Sequence, residues 1–322
     1  MKKFRSNGKL LLTGEYVVLD GALSLAVPTK YGQSLTVDNI DERQLIWQSF
    51  DEKNAVWFEH EYIFEEIAFP FIYETNMETH DGEISKTLLK ILFNASRLNR
   101  DFFNEYLDDY DDEEGKKILG KGFKLSSKLE FPRHWGLGSS STLINNIAQW
   151  LDIDPYLLLR QTFGGSGYDI ACARNNEPIT YRLEKGKPTV NVVDFNPVFK
   201  EHLYFVYLNK KQNSRDGIAH YKAIKTDLKP VISEIDAITK QLISCESLNE
   251  FQKLITQHET IISKLTKQDT VKSLYFNDFE GAMKSLGAWG GDFILACSEV
   301  DPTAYFKGKG FDTVIAYCDM VL

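Results

Sequence analysis

"FKLSSKLEFPRHWGLGSSSTLINNIAQWL", residues 123 to 151, joins three local patterns in one stretch. Residues 123–131 alternate as a half-buried strand should, and an apolar run at helical spacing extends to about Leu151. Between them lie Gly136, Leu137, Gly138, Ser139, Ser140 and Ser141. A strand, a glycine-serine loop and a helix in this order point the loop N–H groups and the unpaired amides of the helix N-terminus into one small volume, which attracts phosphate. Glycine at 136 and 138 permits close backbone approach. The three serine hydroxyls can cap the helix, bond phosphate oxygens or ligate Mg²⁺. Taken alone, the stretch reads equally well as a plain capped helix. It matches neither G-x-x-x-x-G-K-[ST] nor a complete G-x-G-x-x-G, so any nucleotide it holds is held in another way.

Three further stretches carry the same kind of ambiguity. SNGKLLLTGEYVVLDG, residues 6–21, reads as strand, turn and strand, with Lys9 at the edge of an apolar run. A lysine there is either solvated at a strand end or a fixed positive charge beside a reacting hydroxyl or phosphate. QTFGGSGYDIACA, residues 161–173, places Asp169 after a glycine-rich turn, as a turn cap or as a base aimed into a cleft. SLGAWGGDFILAC, residues 285–297, is a glycine loop feeding an apolar strand, and a tight hairpin or bulge is its plain structural reading.

The rest of the chain sets limits. Its 322 residues, 43% hydrophobic and 26% charged, suffice for two domains with their own cores. A net charge of -9 argues against a nucleic-acid partner, which calls for clustered positive charge. No window approaches the ~20 apolar residues of a membrane span, and the apolar runs at the N-terminus break before the ~7–15 residues of a secretion-signal core. Cys172, Cys245, Cys297 and Cys318 are far apart and read as reduced thiols of a cytoplasmic protein. Strands are expected at 34–37, 44–50 and 55–64, a helix from Ser85, and a solvated acidic segment at 108–115. A linker-like region with Pro178, Pro188 and Pro197 precedes a strand at 203–208, and a mainly helical second half follows, opened by a Ser247–Glu250 capping box.

In this order, the four glycine stretches resemble the GHMP kinase superfamily, from Gly8 to about Ala296. The form GK-x-x-x-x-GE is matched by Gly8, Lys9, Gly14 and Glu15, and GLGSSA by Gly136 to Ser140 with Ser141 in place of alanine. G-S-G-x-D is matched by Gly165, Ser166, Gly167 and Asp169, and the third glycine motif by Gly287, Ala288, Gly290, Gly291 and Asp292. GEYVVL and the GGD ending look more like phosphomevalonate kinase than galactokinase, and GYDIA resembles a bacterial branch placed with the mevalonate-type kinases.

The resemblance implies an α+β fold of two domains, a ribosomal protein S5 domain 2-like domain over 1–190 and a ferredoxin-like domain over 191–322. It implies ATP and Mg²⁺ as cofactors, and transfer of the γ-phosphoryl group to mevalonate or phosphomevalonate in isoprenoid precursor synthesis. Lys9 and Asp169 would be catalytic, residues 136–141 would hold the ATP phosphates, and Ser140 would also serve the metal. Glu15, Ser166, Gly167, Arg215, Gly287, Ala288, Gly290 and Gly291 would border the substrate, a small molecule taken by a monomer or homodimer.

Two departures stand out: Trp289 replaces a common glycine, which would make the third loop bulkier, and residues 156–163 lack the acid that mevalonate kinases use for Mg²⁺. Arg133, His134, Lys210, Lys211 and Arg215 border the motif loops as candidate cations for substrate anions, while His258 reads as a core residue. A diphosphomevalonate decarboxylase and a non-catalytic ligand-binding homologue are the alternative readings.

Overall fold

The computed structural model describes residues 1–68, 80–102, 110–111, 117–118, 122–212, 214–224 and 226–322. Of the acidic segment at 108–115, only Tyr110–Asp111 falls among them, paired with Lys117–Ile118; the remainder lies outside the described residues. The fold is mixed α+β and divides into two compact units: residues 1–6, 32–133 and 139–170, and residues 7–31, 134–138 and 171–322. The expected boundary at 190 supposed two consecutive stretches, whereas these units draw on interleaved ones. The cause is visible in the chain, since the strands Lys2–Leu11 and Ser24–Ile40 each contribute to both units.

In the first unit the strands run in the order Val56–Tyr62, Leu45–Phe50, Gly122–Leu129 and the later part of Ser24–Ile40. Leu45–Phe50 is parallel to Gly122–Leu129, with Trp47 opposite Leu125, and the other pairings are antiparallel. The period-two pattern turns Leu35, Val37, Leu45, Trp47, Phe123 and Leu125 into one core with Leu88, Ile91 and Leu92 of the helix His80–Leu98 and with Ile144, Ile147 and Trp150 of the helix Ser139–Leu151.

The helix Ser139–Leu151 is buried on more than its apolar stripe. Asn146 Nδ2 donates to Gln33 O at 2.9 Å, and its Oδ1 accepts Ser6 Oγ–H at 2.7 Å. Thr142 Oγ1 donates to Gln33 Oε1 at 2.5 Å, and Gln33 Nε2 donates to Ser127 Oγ at 2.7 Å. Polar groups so deep persist only when paired, so this network fixes the helix against the sheet in one register.

The second unit contains the pairing of Ser24–Ala26 with Ile179–Glu184, which continues to Lys187–Val192. It also holds a four-stranded antiparallel sheet in the order Ala282–Ser285, Phe293–Cys297, Leu203–Tyr207 and Val314–Ala316. The helices Lys229–Ile243 and Leu248–Thr266 pack on each other, and the latter packs on the strand Ala282–Ser285. Among the described residues, no helix is long and apolar enough to cross a membrane.

Three local expectations are corrected. VVLD is a 3-10 turn, Val17–Asp20: the strand ends at Leu11, and the chain enters the turn through Gly14 and Tyr16 at φ of 87° and 62°. The proline-bearing linker contains a hairpin, Ile179–Glu184 with Lys187–Val192, turned by Lys185 and Gly186 at φ of 51° and 79°. Pro188 is tolerated because its strand lies at the sheet edge. Ser247 stands at the N-cap of Leu248–Thr266, but its side chain makes no capping hydrogen bond.

Replacing Asn146 by Ala removes a donor to the Gln33 carbonyl and the acceptor of the Ser6 O–H and is expected to destabilise the protein by about 1–3 kcal/mol. Urea unfolding checks this, and an unchanged midpoint would show that the helix is held by apolar packing alone.

Candidate functional site

Lys9 stands half-buried in the strand Lys2–Leu11. Its backbone N–H donates to Leu137 O at 3.0 Å and its ammonium donates to Gly136 O at 3.0 Å. The charge expected beside phosphate is thus fixed on the glycine loop, whose Leu137 is fully buried as an anchor. Gly136 and Gly138 have φ of 68° and 93°. At Gly136 a side chain is excluded twice, by that dihedral and because an added Cβ would lie 2.3 Å from the carboxyl carbon of Asp292.

Asp292 is therefore the group packed behind the loop. Its N–H donates to Lys210 O at 2.7 Å, and its Oδ1 accepts the Gln212 N–H at 3.1 Å. Burial raises its pKa, opposed by the Gln212 N–H and the charges of Lys9 and Lys211.

The remaining expected residues are placed as follows. Ser139, Ser140 and Ser141 open the helix Ser139–Leu151 in the first unit, with Ser140 exposed and Ser141 buried. Ser166 and Gly167 immediately precede the helix Tyr168–Arg174, and Asp169 is half-buried in its first turn. Lys9, Glu15, residues 136–138, Arg215 and the third glycine loop belong to the second unit. Arg215 is exposed in the first turn of Ser214–Lys222. Of the other basic candidates, the Arg133 guanidinium lies 3.6 Å over the Trp57 ring, and the His134 ring is 5.2 Å from that of Tyr207.

Gly287, Ala288, Gly290 and Gly291 lie in the connection between Ala282–Ser285 and Phe293–Cys297, which pair with Ser285 opposite Ile294. This loop is a hairpin connection. Trp289 does not widen it: the side chain is buried in a cluster with Tyr16, Val17, Tyr221, Ile235 and Ile262. Its N–H donates to Tyr16 Oη at 3.0 Å.

Glu15, expected at the substrate, is fully buried and pairs through Oε1 with the fully buried ammonium of Lys284. His258 Nε2 accepts the Gly14 N–H at 2.9 Å and lies 3.4 Å from Glu15 Oε2. Burial and the Lys284 charge hold His258 well below its ordinary range, so it is neutral and makes no ion pair with Glu15. Burial raises Glu15 against the opposing effects of Lys284 and the Gly287 N–H. Burial likewise pushes Glu259 up to about 7, although Lys284 and Ser285 favour its charged form. Lys284 and Glu259 escaped the sequence reading. Lys284 had a signal, since a lysine inside AMKSL is as unusual as Lys9 beside LLL.

No family model matches the sequence, and no curated protein sequence matches it. Similarity of fold is nevertheless extensive. The mevalonate kinase of Methanococcus jannaschii matches with a TM-score of 0.67 and 17% identity, over 97% of this chain and 96% of that one. The Streptococcus pneumoniae phosphomevalonate kinase in complex with phosphomevalonate and AMPPNP gives 0.65 and 16%, over 96% of each chain. Lactococcus lactis galactokinase complexed with galactose gives 0.62 and 14%, over 96% of this chain and 88% of that one. These neighbours are GHMP kinases, and the chain has their fold over nearly its whole length.

A carboxyl whose pKa is raised by folding contributes stability that is complete below its ordinary range, near 4.5, and lost as pH rises through its folded value, here about 7. The melting temperature is therefore expected to fall between pH 5 and 7.5 by more in the parent than in Glu259→Gln, whose side chain does not titrate. Equal slopes in calorimetric scans of the two proteins would disprove it.

Proposed function

We propose that the protein is an ATP-dependent small-molecule kinase that transfers the γ-phosphoryl group to mevalonate or phosphomevalonate, in the cytoplasm, as a step of isoprenoid precursor synthesis. The observation that carries the reading is the Lys9 ammonium held at 3.0 Å from the carbonyl of Gly136, in a loop whose glycines permit close backbone approach. The GHMP kinase fold supports it, and so does the presence of phosphomevalonate and AMPPNP in one neighbour.

The residues at hand fit a triphosphate. Gly136 and Gly138 bring backbone N–H groups without side chains in the way, and Ser139 to Ser141 supply hydroxyls and the first-turn amides of a helix. Among the described residues no group of three His, Cys, Asp or Glu side chains converges to hold a metal. Mg²⁺ would then rest on the exposed Ser140 hydroxyl and phosphate oxygens, which suits an ion that retains several waters. Bound ATP supplies the phosphoryl group and its leaving group. In this reading Asp169 accepts the proton of the acceptor hydroxyl, and Lys9 offsets negative charge developing on the transferred group. Ser166, Gly167, Arg215 and the loop from Gly287 to Gly291 would form the acceptor side.

ADP release from Mg-ATP would be measured against mevalonate, phosphomevalonate, diphosphomevalonate, galactose and homoserine, following product mass and CO₂. Saturable release with a mass gain of one phosphate on mevalonate or phosphomevalonate is expected; CO₂ from diphosphomevalonate would replace the kinase by a decarboxylase. Asp169→Asn and Lys9→Met are each expected to lower kcat by about 10²-fold or more. If both folded variants turn over within a few-fold of the parent, these residues do not carry the chemistry.

A further inference from the structure

The third glycine loop is tied to other segments of its own unit through both side chains and backbone. At its base, Ser285 N–H and Oγ–H donate to the two carboxyl oxygens of Glu259 at 3.0 and 2.9 Å. The adjacent Lys284 donates to Ser285 O at 2.8 Å and to Glu15 Oε1. Farther along, the Trp289 N–H is held by Tyr16 Oη, the residue after Glu15. At the far end, Asp292 backs Gly136 and is held by Lys210 O and the Gln212 N–H. Glu15 and Lys284 have no exposed side-chain surface, and Glu259 is 3% exposed.

Burying an ammonium between carboxylates is a poor way to gain stability, since apolar side chains of similar volume serve as well or better. Charged hydrogen bonds offer direction instead, because each acceptor fixes where its donor lies. We propose that Lys284 and Glu259 are positioning residues: through Glu15 and Ser285 they set the conformation of the loop from Leu286 to Asp292, and through Asp292 the place of Gly136. This gives Glu15 a role in holding the loop without contact to substrate. The kinetic half of the proposal rests on the kinase reading above, and the structural half does not.

The test uses the full chain as Lys284→Met, Lys284→Met with Glu15→Gln, and Glu259→Leu. Native-state hydrogen exchange over 285–292 is expected to accelerate about tenfold or more in each, while the strand Gly122–Leu129 exchanges as in the parent. With the acceptor that turns over in the panel, kcat is expected to fall about 10²-fold and each KM to move less than about threefold. The double variant leaves no buried charge unpaired at Glu15 and should regain the melting temperature lost in Lys284→Met, without regaining kcat or loop protection. Recovery of all three would overturn the proposal by reducing the pair to a stability element, and so would parental exchange and kcat in Lys284→Met. Should Lys284→Met not fold, Glu259→Leu decides by the same two readouts, because it leaves the Lys284–Glu15 pair intact. If no acceptor turns over, the kinase reading fails by itself, and loop exchange still upholds or overturns the structural role.

Discussion

An ammonium group removed from water must find a carboxylate, because its desolvation costs several kcal/mol. Lys284 is fully buried, and Glu15 is its ion-pair partner. That requirement shapes the segments around it. The chain must leave the strand Lys2–Leu11, turn at Gly14 and deliver a glutamate at the next position. Gly14 takes φ of 87°, and a Cβ there would lie 2.1 Å from Ser24 Oγ, so only glycine permits the turn. With Glu259 nearby, the cluster has two carboxyls for one ammonium, and the imidazole beside them is neutral. Burial displaces both glutamates upward against the Lys284 charge, and the charge of Glu15 adds to the rise at Glu259.

A second constraint acts on the glycine loop at 136–138. Lys9 holds the loop through two carbonyls, and Asp292 occupies the space that a side chain at 136 would need. A positive group on one carbonyl and a negative group behind the same glycine leave the loop little freedom to shift. Such preorganisation is what phosphoryl transfer asks of a protein, since its barrier falls mainly through placement and charge.

The sequence made these glycine segments legible because each pairs an unusual residue with a backbone that only glycine adopts. Lys9 beside an apolar run and Gly136 before a helix are anomalies visible without a structure. The strands at 44–50 and 55–64 and the helix from Ser85 were legible by period. What escaped has physical reasons. The 3-10 turn at Val17–Asp20 has strand-forming residues whose preference is overruled by the turn that the chain enters through Gly14 and Tyr16. The Lys185–Gly186 hairpin was obscured by three prolines in its vicinity. Trp289 looked like an obstruction because sequence carries no information on side-chain direction; the ring points into the helical layer instead. Glu259 could not be read at all, since an acid on an amphipathic helix is ordinarily solvated, and its burial depends on Ser285, 26 residues away.

The missing acid at 156–163 bears on how charge is managed in the proposed reaction. In the helix Pro155–Thr162, Leu158 and Leu159 are buried in the first core and Asp154 accepts the Tyr156 N–H as a cap, so the segment is built for packing and for its own terminus. With no carboxylate from there, the protein would contribute less negative charge to a metal shell in the proposed reaction. Mg²⁺ held mainly by phosphate oxygens and water would then neutralise those oxygens more fully, because fewer protein anions would compete for its charge. In that reading the remaining charge on the transferred group would fall to Lys9 and to backbone N–H groups. That is consistent with a loop fixed by lysine at its carbonyls and held from behind by Asp292, since donors that carry more of the stabilisation have to be held more firmly in place.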